Sequence, residues 1–208
     1  MVHVLFLIIR DIIQIQETKT TIIMKLFLKN YKIDLINAIE SLDWKILEEI
    51  ANKLIDLKKN GNTVYLIGNG GSSATPSHSA GDWTKELKIK TLCLTDNTAS
   101  LTAFANDTDY ANVFKGQLET FLGQGDIVIG YSGSGNSPNV LNAIKYAKIK
   151  GNFTIGITGN YNEKNGGLLV SIADLALVAN TISMERIEDL HLIINHIIKE
   201  YIKKEITA

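Results

Sequence analysis

The stretch YLIGNGGSSATPSHSAGDW, residues 65–83, decides how this chain folds. An apolar run enters a glycine pair, then two serines, then a proline. His78 and Asp82 follow, four residues apart. The pattern is that of a strand turning into a helix. A continuous apolar strand of this kind suits a parallel sheet covered on both faces.

Working outward, the same alternation recurs. Short apolar runs stand at 63–68 (TVYLIG), 91–95 (TLCLT), 126–132 (DIVIGYS), 153–159 (FTIGITG) and 175–179 (LALVA), with helical segments between them. Strands alternating with helices imply right-handed crossovers and an α/β sandwich. The clearest helix is SPNVLNAIKYAKIKG (137–151), with Ser137 able to cap it, Pro138 suited to its first position and Gly151 to its end. A final amphipathic helix covers about 183–204, with Ile187, Leu190, Ile194, Ile197 and Tyr201 as its apolar face. Ahead of the strands, residues 25–60 read as helix, broken near SLDWK (41–45), which caps a second segment. NYNEKNGG (160–167) reads as a polar loop.

The 208 residues suffice for one large domain. Hydrophobic residues at 45% and charged ones at 21% allow a packed core and argue against disorder. A net charge of −1 gives no electrostatic case for nucleic acid or an anionic membrane. The single cysteine, Cys93, excludes an internal disulfide and reads as a buried structural thiol. MVHVLFLII is apolar, but Arg10 and Asp11 interrupt it too soon for a membrane span. It also lacks the pattern of a signal peptide. Residues 1–23 are therefore an extension, either an extra helix or a leader ahead of an internal start at Met24. Residues 24–208 form the single domain, which is expected to be cytoplasmic.

Ligands of such sheets bind beyond the carboxyl ends of the strands. Two loops there stand out: Gly68-Asn69-Gly70-Gly71-Ser72-Ser73 and Ser132-Gly133-Ser134-Gly135-Asn136-Ser137. Glycines let backbone amides approach an anion, a helix N-terminus adds a positive dipole end, and serines supply neutral donors. Neither loop carries the P-loop lysine, and neither fits G-x-G-x-x-G. Either loop alone is an ordinary turn. Together they point to a monophosphate.

His78 and Asp82 share one face of a helix. Pro76 is tolerated if it falls in that helix's first turn. On spacing, the pair is a surface contact, a helix-internal hydrogen bond or two ligands of a divalent metal. Glu188 and His196 lie about 12 Å apart along a helix. They share one ion only if both reach inward or if subunits share the site. His191 reads as a satisfied core or interface histidine.

GNGGSSATPSHSAGDW together with SGSGNSPN resembles the sugar isomerase (SIS) domain family. Including FANDTDY (104–110) and RIEDLHLIINH (186–196), residues 35–201 are similar to the phosphoheptose isomerases. The resemblance implies a three-layer αβα sandwich with a five-stranded parallel sheet, flavodoxin-like, plus N-terminal helices. It implies a zinc-dependent aldose–ketose isomerase. The substrate would be sedoheptulose 7-phosphate and the product glycero-manno-heptose 7-phosphate, for surface polysaccharide. It implies His78, Asp82, Glu188 and His196 at the metal, with Asp82 and His196 as the acid/base groups. Ser132, Gly133, Ser134 and Ser137 would hold the phosphate. Asn69, Gly70, Gly71, Ser72, Asn106, Asp107 and Glu188 would hold the sugar. It implies a homotetramer. Asp82 stands where the family typically has glutamate, and Glu188 where it has glutamine. These departures keep open an isomerase of another phosphosugar, or a non-catalytic SIS module that binds a protein partner.

Overall fold

The computed structural model describes the backbone of residues 2–207 and the side chains of residues 21–206. The extension expected over residues 1–23 falls mostly on side chains outside the described residues. Contacts divide the chain into a unit ending at Asn37 and a unit beginning at Ala38. The first is the greater part of α1 (Val2–Glu40), one helix that runs past Met24 without a break. Its described apolar side chains Ile22, Ile23, Leu26 and Phe27 are exposed.

The second unit opens with the expected break. Asp43 caps α2 (Trp44–Asn60), its carboxylate accepting from the amides of Lys45 and Ile46 at 2.9 and 3.4 Å. Gly61, at φ 72°, ends that helix in the left-handed region. There follow β1 (Thr63–Ile67), α3 (Gly71–Asp82), a π turn (Trp83–Leu87), β2 (Lys90–Cys93), α4 (Thr98–Asp107) and α5 (Val113–Phe121). The chain continues with β3 (Ile127–Ser132), α6 (Pro138–Ile149), β4 (Phe153–Gly159), α7 (Gly167–Ile172), β5 (Leu175–Ala179) and α8 (Met184–Thr207). No helix among the described residues is long and apolar enough to cross a membrane.

All five strands are parallel, in the order β2-β1-β3-β4-β5. Alternate residues of each strand serve opposite faces. Tyr65, Ile67 and Val128 join Phe114, Leu118, Val140, Ile144 and Leu169 in the layer of α5, α6 and α7. The other face is covered by α2, α3 and α8, whose Ile50, Leu54, Ile187, Leu190 and Ile194 are fully buried. This is the three-layer αβα sandwich. Two-faced burial explains why the strands read as unbroken apolar runs.

Three local readings change. Ser137 sits at the N-cap of α6 but makes no capping bond, because its hydroxyl turns to Ser132 Oγ at 3.0 Å. The buried stripe of α8 continues through Ile198 and Ile202, while Ile197 is 39% exposed. The i, i+4 steps from Ile194 follow the helical period more closely than the step to Ile197 does. Pro76 lies at the sixth position of α3, inside the helix and not in its first turn. It deprives the Ser72 carbonyl of its usual amide donor. That carbonyl lies against Gly68, where any Cβ would collide with it.

Candidate functional site

The strand order reverses direction between β1 and β3, so the topological switch point falls between their carboxyl ends. Both serine-rich loops leave the sheet there. A cleft of about 250 Å³ opens between them, lined by Asn69, Gly70, Ser72, Tyr131, Ser132, Gly133, Ser134, Ser137, Met184 and Glu188.

The second loop is rigidly held. Gly135 donates its amide to the Ser132 carbonyl at 2.9 Å and accepts from the Leu169 amide at 2.9 Å. Its φ is +64°, and a Cβ there would run into the Gly166 carbonyl, so only glycine fits. Asn136 accepts from the Leu168 amide at 3.1 Å and donates to the Ser134 carbonyl at 2.8 Å. These bonds present the Ser132, Ser134 and Ser137 hydroxyls at the start of α6.

The first loop is tied to the second. Asn69 and Asn139 form a reciprocal amide pair at 2.9 and 2.8 Å. The Tyr110 hydroxyl donates to Asn69 Oδ1 at 2.9 Å. Ser72 is buried and its Oγ lies 3.5 Å from His191 Nδ1. His191 is fully buried beneath the loop, and burial pushes its pKa down to about 4, only partly offset by the Thr158 backbone. Its Nε2 lacks a hydrogen bond of ordinary geometry. The imidazole is therefore neutral, a structural support and not a charge.

Among the described residues the cleft lining holds no lysine or arginine, so an anion there would depend on hydroxyls, amides and helix ends. Glu188 works against it. Its carboxylate lies so close to Gly71 that a Cβ on that glycine would strike it. Burial, then the nearby Glu185 and Asp189, pushes the Glu188 carboxyl above its ordinary value.

A second group forms where the end of α3 meets α8. His78 Nε2 and His196 Nε2 lie 3.3 Å apart, and Asp82 Oδ2 is 3.6 and 4.0 Å from them. The three donor atoms lie within 4.8 Å of one another. Tetrahedral zinc with bonds of 2.0–2.1 Å would set nitrogen ligands about 3.4 Å apart. The imidazole pair already has that spacing, so the donor set fits a zinc ion. Lys199 Nζ bonds Asp82 Oδ2 at 2.7 Å, and this hydrogen bond holds the Asp82 carboxyl below its ordinary range.

The residues singled out from sequence thus fall in three places. Asn69, Gly70, Ser72, Ser132, Gly133, Ser134, Ser137 and Glu188 line the cleft, with Gly71 directly behind Glu188. His78, Asp82 and His196 converge, and Glu188 is outside that trio. Asn106 and Asp107 end α4, exposed and bonded to each other at 2.8 Å, outside the cleft lining. Sequence reasoning missed Asn139, Met184 and Lys199. Of these only Lys199 left a signal, three residues beyond His196 and so on its helical face.

Fold and cleft together define a class, the doubly wound α/β proteins with a loop-lined cleft at the switch point. The SIS domain family matches residues 29–159. A phosphoheptose isomerase of Sulfurimonas denitrificans is 41% identical over 165 residues, 77% of this chain and 83% of that protein. One of Aliarcobacter butzleri is 38% identical over 166 residues, 77% of this chain and 86% of that protein. The solved phosphoheptose isomerase of Neisseria gonorrhoeae superimposes with a TM-score of 0.81 at 27% identity, covering 87% of this chain and 99% of that one. The chain belongs to the SIS-domain phosphoheptose isomerase family.

Proposed function

We propose that the chain interconverts sedoheptulose 7-phosphate and glycero-manno-heptose 7-phosphate. The observation that carries the reading is the serine-lined cleft at the β1/β3 switch point, in a chain so akin to phosphoheptose isomerases. Ser132, Ser134 and Ser137, with the amides at the start of α6, hold the phosphate. Asn69, Gly70, Gly71 and Ser72 face the sugar, with Glu188 opposite; Asn106 and Asp107, at the end of α4 and outside the cleft lining, would join the sugar contacts only if that helix end moved inward. Isomerisation moves a proton between adjacent carbons through an enediolate, which needs a base over the carbons and an acid for the oxygens. Asp82 is ionised, the form that can accept the proton, while the hydrogen bond from Lys199 lowers its basicity and would have to loosen as it acts. His196 is the candidate to pass one to the oxygens; Asp82 and His196 each serve either as acid/base group or as metal ligand, since one residue cannot fully do both.

His78, Asp82 and His196 would hold zinc, with Glu188 as a further oxygen donor if its side chain swings round from the cleft. When bound, the ion would supply Lewis-acid polarisation of the carbonyl and hydroxyl pair.

We further infer a cytoplasmic homotetramer that feeds heptose synthesis for surface polysaccharide. Exposed Ile22, Ile23, Leu26 and Phe27 on α1 support burial by other copies. Residues 24–208 would act as the single SIS domain and residues 1–23 as an extension. The test is to incubate the protein, metal-stripped and then zinc-loaded, with sedoheptulose 7-phosphate and follow the aldose by NMR. Appearance of the heptose with zinc is the expected result. No turnover in either state, with the fold intact, refutes the proposal.

A further inference from the structure

We propose that Lys199 is a resident cation of the His78–Asp82–His196 cluster, which an incoming metal ion must displace onto Glu86. The inference rests on the reading of that cluster as a metal site. The oxygen that Lys199 grips, Asp82 Oδ2, is the same one that faces both imidazoles. An ion bonded to that oxygen at about 2.1 Å would lie within about 5 Å of the ammonium, given the geometry of carboxylate–zinc bonds. The Lys199 side chain is only 14% exposed, while the His78 and His196 imidazoles are 53% and 42% exposed, so water screens this repulsion in part and does not abolish it. Ion and ammonium therefore compete for one carboxylate.

A second seat stands beside the first. Glu86, in the π turn after α3, places Oε1 3.6 Å from Lys199 Nζ, and its Oε2 takes Lys203 at 2.9 Å. The four side chains form a ladder between the α3 end and α8, in which Lys199 sits between two carboxylates. Without metal, it neutralises Asp82 and keeps the carboxylate turned towards the imidazoles. With metal, it needs only a short swing to reach Glu86. Lys199 thus lowers metal affinity by competing for Asp82 Oδ2, with no contact to substrate required.

The test measures zinc affinity by competition with a chromophoric chelator, at one pH and salt concentration. The proteins are wild type, Lys199→Met, Lys199→Gln, Glu86→Gln and the double variant Lys199→Met/Glu86→Gln. Both Lys199 variants are expected to bind zinc roughly tenfold more tightly, an effect of outer-shell size but of opposite sign, because here the neighbour competes with the ion instead of supporting its ligand. Glu86→Gln should bind several-fold more weakly, because Lys199 then has no alternative partner. The double variant should match Lys199→Met, since Glu86 acts through Lys199. Glu86 is part-exposed, so its replacement is readable even if a Lys199 variant folds poorly. Unchanged or weaker zinc binding in folded Lys199 variants overturns the proposal and leaves the metal site standing. A Glu86 effect that persists without Lys199 also overturns it. Absence of zinc binding in every protein removes the metal site, and this proposal with it.

Discussion

His191 makes stability pH-dependent in a window that can be calculated. Its pKa is about 4 in the folded chain against 6.5 for an unperturbed histidine, because the imidazole is fully buried. Between those values the unfolded chain binds a proton that the native state refuses. Stability therefore rises with pH through the window and levels off above it. Each pH unit is equivalent to about 1.4 kcal/mol. Lowering the pH from about 7.5 to about 5 should remove about 2 kcal/mol of native stability. The measurement is urea unfolding at a series of pH values, for wild type and for His191→Leu. Leucine fills similar volume and cannot titrate, although it strips Ser72 of its neighbour and so lowers stability at every pH. The expected signature is a slope present in wild type and lost in the variant. Asp82 does not confuse the result. Its folded pKa is depressed by Lys199, so its contribution is lost only as pH falls below the ordinary carboxylate range. Glu188, whose carboxyl burial pushes up, titrates alike in both proteins. Parallel loss of stability in the two proteins would refute the assignment of a neutral, buried His191.

Asp82→Asn should lower turnover by at least about 100-fold while leaving the affinity for a phosphate analogue unchanged, as NMR kinetics and calorimetry would read. Gly135→Ala places a Cβ against the Gly166 carbonyl at φ +64°. A loss of about 2 kcal/mol or more is expected in thermal unfolding, with weaker phosphate binding. Glu188→Gln removes a carboxylate from a cleft whose described lining includes no lysine or arginine. Its KM for the phosphosugar should fall several-fold at low ionic strength and less at high salt, where the charge is screened. A KM that responds equally at both salt concentrations would exclude repulsion as the cause.

The sheet was legible because it is buried on both faces. Each strand reads as an apolar run, and LALVA coincides with β5 residue for residue. The two loops were legible because glycine and serine cluster where strands end. What escaped notice depends on partners far apart in the chain. Nothing local to Asn139 foretells its bond to Asn69, 70 residues away. Nothing near Lys199 names Asp82, 117 residues back. Ser137 shows the same limit from the other side. Its position is that of a cap, but a neighbouring hydroxyl on β3 claims it. Ile197 and Ile198 are alike as apolar residues, but the i, i+4 steps from Ile194 favour Ile198, and it is Ile198 that is covered.

The reciprocal amide pair of Asn69 and Asn139 bears on how substrate range could diverge. It joins the loop after β1 to the first turn of α6. Replacing either asparagine alone strands its partner's amide, so the first step towards a different loop is disfavoured and only a paired change restores the bond. Grafting one loop from another phosphosugar protein should therefore fail where grafting both, with the matching residue of α6, succeeds. The two loops are held as one unit.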